Sequence, residues 1–123
     1  MVTRRLLPTC SRTRRMGDHY LLNLYGCSFN TLNNEDYLKD LIETAALCSG
    51  ATILQIIGKS FQPQGVTILG LLAESHISIH TWPEKGEAAV DIFTCGDCLP
   101  KIGCDIIIEQ IQCDRHTLQL IKR

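Results

Sequence analysis

No apolar stretch in this chain of 123 residues reaches the roughly 18 residues that a membrane span needs, because Arg, Asp, Glu, Gly or Pro interrupts every candidate. A recognisable secretory signal, an internal repeat and a low-complexity tract are all absent. No acidic residue precedes position 16, where Arg4, Arg5, Arg12, Arg14 and Arg15 stand, and no aromatic residue is interleaved with those arginines. A nucleic-acid arm would want such aromatics for stacking. The remainder lacks a basic excess. Seven basic residues face thirteen acidic ones from position 16 onward, a net of −6. A phosphate-binding face is therefore not expected, and an acidic body suits a cationic small molecule better.

What is present fits one soluble domain, with 45% hydrophobic and 20% charged residues. Residues 1–16 read as a basic arm or upstream start, and 17–123 as the domain. Seven cysteines, an odd number, point to reduced thiols in a cytoplasmic protein rather than to a disulfide framework. His19 to Tyr25 reads as a strand ended by Gly26. Asn33 or Asn34 caps a helix with Leu38, Leu41, Ile42, Ala45 and Cys48 at helical spacing, and Gly50 stops it. Residues 51–60, 66–73, 75–82, 88–94 and 116–121 read as strands. A second helix starts near Leu99 or Pro100 and carries Ile102, Ile106 and Ile111 inward. The order predicts an α+β two-layer sandwich, a mainly antiparallel sheet with two helices packed on one face.

The chemistry concentrates in residues 74–82, Glu-Ser-His-Ile-Ser-Ile-His-Thr-Trp. Side chains alternate along a strand, so His76, Ser78 and His80 share one face while Ser75, Ile77 and Ile79 share the other. Three readings compete: a hydrogen-bonded polar face, a metal site on His76 and His80 with a third ligand from Cys95, Cys98 or an acid, and nucleophile chemistry at Ser75 with His80 as base.

The run Leu72-Ala73-Glu74-Ser75-His76-Ile77-Ser78-Ile79-His80-Thr81-Trp82-Pro83-Glu84, followed by Ala89-Val90-Asp91-Ile92-Phe93-Thr94-Cys95-Gly96-Asp97, closely resembles the prokaryotic S-adenosylmethionine decarboxylases. The resemblance covers about residues 17–123. It implies a self-processing enzyme of polyamine (spermidine) synthesis. Ser75 attacks the carbonyl of Glu74, and cleavage yields chains 1–74 and 75–123, the second headed by a pyruvoyl group made from Ser75. By the same resemblance His80 moves protons during processing, Thr67 stands where many relatives have an assisting serine, and Cys95 protonates the decarboxylated intermediate. Phe61 resembles the aromatic that stacks on adenine and Glu84 the carboxylate that binds the ribose; Ile77 and Trp82 complete the substrate-binding set. The implied cofactor is the pyruvoyl group and no metal. The implied partners are S-adenosylmethionine and a second copy, in a homodimer whose site lies between subunits, with no nucleic acid and no membrane.

Two positions depart from the pattern. Glu87 follows Gly86 where an aromatic is frequent, and Asp18 stands where a basic residue is common. Added acids keep arginine or ornithine open as substrates of the same scaffold. A reading of another class, a zinc or dithiol module, uses Cys95-Gly96-Asp97-Cys98.

Overall fold

Alternation of apolar and polar side chains builds a sheet whose two faces differ. The computed structural model describes residues 16–123. The expected arm therefore lies outside the described residues, except for exposed Met16. The strands are β1 (Asp18–Tyr25), β2 (Ile53–Ser60), β3 (Val66–Leu72), β4 (Ser75–Trp82), β5 (Glu87–Thr94) and β6 (Arg115–Lys122). They form one six-stranded sheet in the order β2-β3-β4-β5-β1-β6, every neighbouring pair antiparallel. The α+β expectation holds.

Among the described residues the helices are α1 (Phe29–Leu32), α2 (Glu35–Cys48) and α3 (Pro100–Ile111). Asn34 caps α2, accepting from the Tyr37 N–H at 3.0 Å, and Glu35 and Asp36 complement the positive end of the helix. One sheet face is covered by α2 and α3, and the core forms there from Leu22, Leu24, Ile68, Ile77, Ile79 and Ile92 against Leu38, Ile42, Ala45, Cys104 and Ile107.

Two helical faces differ from expectation. Cys48 is exposed and Ala46 is buried instead. The cause lies in α3, where a Cβ on Gly103 would fall 2.6 Å from Ser49 Oγ and 3.0 Å from the Ala45 carbonyl oxygen. That close approach draws α3 onto the Ala45–Ser49 side of α2, away from Cys48. It also turns α3 so that Gly103, Cys104, Ile107 and Ile111 are buried, Ile106 is half-buried and Ile102 is exposed. Short α1, capped by Ser28, and a single 3-10 turn at Pro83–Lys85 were not expected. The 3-10 turn ends on Gly86 at φ +67°, where a Cβ would come within 3.0 Å of the Cys27 carbonyl oxygen.

No helix among the described residues covers the other sheet face, which exposes Ile57, Leu69 and Leu71 beside a cavity of about 360 Å³. Among the same residues no helix is long and apolar enough to cross a membrane.

Candidate active site

The hairpin between β3 and β4 places Glu74 and Ser75 at one end of the sheet. Ser75 adopts φ +147°, a conformation rare for a residue with a side chain. Such strain persists only where neighbours hold it. The holding contacts are visible. The Glu74 carbonyl oxygen accepts a hydrogen bond from the Cys95 N–H at 3.3 Å and lies 3.5 Å from Cys95 Sγ. Glu74 Oε1 accepts from the Thr52 N–H at 3.0 Å, and the Ala73 N–H donates to the Thr52 carbonyl at 2.9 Å. The peptide carbonyl between Glu74 and Ser75 is thus polarised by a fixed donor, the arrangement that stabilises charge building on a carbonyl oxygen.

His80 lies elsewhere. It stands five positions along β4 from Ser75, about 16 Å at the rise of a strand. One chain therefore does not bring this serine and histidine together. His80 Nδ1 instead meets Thr67 Oγ1 at 3.0 Å, across the β3–β4 register that pairs the two residues. Phe61, half exposed just beyond β2, Trp82 at the end of β4 and Glu84 in the 3-10 turn belong to this same far end. Ile77 is buried on the helix-covered face, so its side chain points into the core and not toward the open face. The expected residues accordingly fall into two groups at opposite ends of the sheet: Glu74, Ser75 and Cys95 at one, Phe61, Thr67, His80, Trp82 and Glu84 at the other.

The metal and dithiol readings lose their geometry. His76 and His80 stand four strand residues apart, about 13 Å. Cys98 is a free thiol donating to the Gly50 carbonyl at 3.7 Å, its pKa pushed up to about 11 by burial and by the Glu74 and Asp97 carboxylates. Cys95 is in disulfide form here, so the expectation of reduced thiols does not hold at this position and any use of Cys95 as an acid belongs to the reduced chain.

Three features near the turn have no signal in the motif. One is the Cys95 backbone N–H, which no residue type advertises. The others are His19 and Asp91, which join His76 and Ser78 on the open face: Asp91 Oδ2 takes 2.8 Å contacts from both His19 Nε2 and His76 Nε2, and Oδ1 accepts from Ser78 Oγ. Burial pushes the Asp91 carboxyl up, but these three donors outweigh it and hold it below the ordinary carboxylate range. Laying the β5 alternation Ala89-Asp91-Phe93 beside that of β4 would have found it.

A family model described as S-adenosylmethionine decarboxylase matches residues 18–123. The S-adenosylmethionine decarboxylase proenzyme of Parasynechococcus marenigrum (strain WH8102) is 51% identical over 109 residues, covering 88% of this chain and 85% of that protein. The proenzyme of the same name from Thermoanaerobacter sp. (strain X514) is 41% identical over 109 residues, with 88% of each covered. Among solved structures, the adenosylmethionine decarboxylase from Aquifex aeolicus is similar at a TM-score of 0.82 and 40% identity, covering 87% of this chain and 89% of that one.

Proposed function

The chain belongs to the S-adenosylmethionine decarboxylase family, and from that premise we propose that it is a cytoplasmic proenzyme that cuts itself between Glu74 and Ser75 and then decarboxylates S-adenosylmethionine for polyamine synthesis. The observation that carries the reading is the strained Ser75 beside a Glu74 carbonyl already held by the Cys95 N–H. Attack of Ser75 Oγ on that carbonyl carbon moves the acyl group from nitrogen to oxygen, and the Cys95 N–H stabilises the oxygen as it gains charge. Elimination of the ester frees the Glu74 carboxylate as a new chain end. Hydrolysis of the remaining dehydroalanine releases ammonia and leaves a pyruvoyl group on the His76 nitrogen. The residues present fit that group, since its precursor serine already occupies an unusual backbone conformation at the head of a strand.

When formed, the pyruvoyl ketone supplies an electron sink for the departure of carbon dioxide. The chain's own residues do the rest. His80, its Nδ1 fixed by Thr67, moves protons during processing. The reduced Cys95 thiol supplies the proton that replaces the carboxylate carbon. Phe61 offers a face to adenine, with Trp82 alongside, and Glu84 offers a carboxylate to the ribose hydroxyls.

Because Ser75 and His80 occupy opposite ends of one sheet, a complete site needs the His80 end of a second copy. A two-fold homodimer formed through the open sheet faces would build two such sites and cover Ile57, Leu69 and Leu71. The test of the activity is the intact mass of the purified chain together with carbon dioxide release from S-adenosylmethionine, arginine and ornithine. Fragments 1–74 and 75–123, the latter blocked at its new end, are expected, with turnover of S-adenosylmethionine alone. A wild-type chain that stays whole after long incubation would overturn the reading.

A further inference from the structure

His19 on β1 and His76 on β4 flank Phe93 of β5 in the sheet register, one on each side. Both imidazoles turn Nε2 toward one atom, Asp91 Oδ2, at 2.8 Å. The second oxygen of Asp91 is held by Ser78 Oγ, which fixes the carboxylate plane. The Phe93 ring wedges against both histidines, its centroid 5.2 Å from that of His19 and 6.1 Å from that of His76. In the single chain the side chains of His19, Asp91 and His76 are 17%, 25% and 42% exposed, whereas a dimer stacked on the open face would cover them, so the ion would enter before the two chains stack and be held between the sheets. The processing chemistry uses none of these side chains.

We propose that His19 Nε2, His76 Nε2 and Asp91 Oδ2 form a binding site for a divalent transition-metal ion of the zinc class. The three ligand atoms lie within 4.8 Å of one another. Two imidazoles and one carboxylate are a donor set for zinc, cobalt or nickel rather than for magnesium or calcium, which prefer oxygen. Ligands about 2.0–2.1 Å from a tetrahedral ion sit roughly 3.3 Å apart, so each hydrogen bond need open by only about 0.5 Å. An imidazole that binds through Nε2 carries its proton on Nδ1 and turns the Nε2 lone pair to the ion. The ion takes the place of two N–H donors on Asp91, and Ser78 keeps the carboxylate oriented as an outer hydrogen-bond partner does. A fourth position remains for water or another donor. The ligands come from three adjacent strands, so a bound ion would tie β4, β5 and β1 together beside the scissile turn.

The site stands independently of the decarboxylase reading, and its test is run on the full-length Ser75→Ala chain, which is one species whatever the wild type does. The chelator-stripped, reduced protein is titrated with Co²⁺, followed by visible absorption, and the cobalt is then displaced with Zn²⁺. One ion per chain, a nitrogen- and oxygen-ligated spectrum without sulfur-to-cobalt charge transfer, and a raised thermal midpoint are expected. His19→Ala and Asp91→Asn should each weaken binding on the order of 100-fold, and Ser78→Ala about 10-fold. Cys98→Ala should change nothing. No stoichiometric binding in the parent, sulfur charge transfer, or unchanged affinity in His19→Ala would overturn the site. Should circular dichroism show that His19→Ala or Asp91→Asn does not fold, Ser78→Ala decides: unchanged affinity there overturns it as well. Loss of self-cleavage in the wild type would leave this result untouched.

Discussion

A serine that must break its own peptide bond needs a carbonyl held for attack and a proton carrier that arrives from outside the turn. Glu74, Ser75 and Cys95 supply the first requirement within a few ångströms. In the proposed reading Cys95 would act there twice, through its backbone N–H during cleavage and through its reduced thiol during decarboxylation. Its neighbour Cys98 is a different kind of cysteine. With a thiol pushed up to about 11 by burial and two nearby carboxylates, it holds little thiolate near neutral pH and has little reason to react. Under reducing conditions Cys95→Ala should therefore still cut at Ser75, more slowly, because the backbone donor survives. Its decarboxylation should fall by 10²-fold or more, about the contribution of a positioned acid. Cys98→Ala should process and turn over nearly as the wild type does. Single-turnover product formation and survival of the pyruvoyl group, measured in both variants, separate the roles. Equal losses would return the pair to a dithiol reading.

Among the elements, α3 shows how one residue without a side chain orients a helix. Gly103 lets α3 meet α2 at the Ala45 carbonyl and Ser49 Oγ, which itself donates to that carbonyl at 2.8 Å. Gly103→Ala introduces a methyl group against backbone and a buried, bonded hydroxyl. Overpacking of this kind costs about 1–3 kcal/mol, against about 1 kcal/mol that Ala gains over Gly in a helix interior. A net loss of about 1 kcal/mol is expected in urea denaturation of the uncut Ser75→Ala chain. A neutral or stabilised variant would show that the two helices separate easily and that some other contact sets the rotation of α3. The same helix marks what a linear pattern reveals. Strand periods and an asparagine cap at position 33 or 34 are local signals, and among the described residues they place the six strands, the first long helix and the start of the second to within two residues. The rotation of α3 depends on Gly103 meeting another helix, so Ile102 was misread as inward. Ile77 was misread for a related reason, because a motif names neighbours in sequence while the pleat sends alternate ones to opposite faces. Ser75, His80 and Cys95 were recognisable as a set. Their separation was not, since spacing along β4 becomes a distance only once the strand is known to run straight between them.

At the scale of the whole molecule, that separation has a consequence for assembly. One chain carries the Glu74–Ser75 turn at one end of its sheet and the Thr67–His80 pair at the other, with an apolar face between that no helix among the described residues covers. Two-fold symmetry applies one patch twice, so in the proposed dimer an antiparallel stack of two sheets would set each turn against the partner's histidine. Complementation between two dead chains tests this directly. Ser75→Ala lacks the nucleophile and His80→Ala lacks the proton carrier, so neither should cut when expressed alone. Co-expressed, they form a mixed dimer in which one site takes Ser75 from the His80→Ala chain and His80 from the Ser75→Ala chain, while the other site lacks both. Random pairing of equal amounts places about half of the His80→Ala chains in such dimers. Up to that share should appear as fragments 1–74 and 75–123 in denaturing mass spectrometry, all derived from the His80→Ala chain. If each chain served its own serine, no pairing could help, and the co-expressed mixture would remain whole.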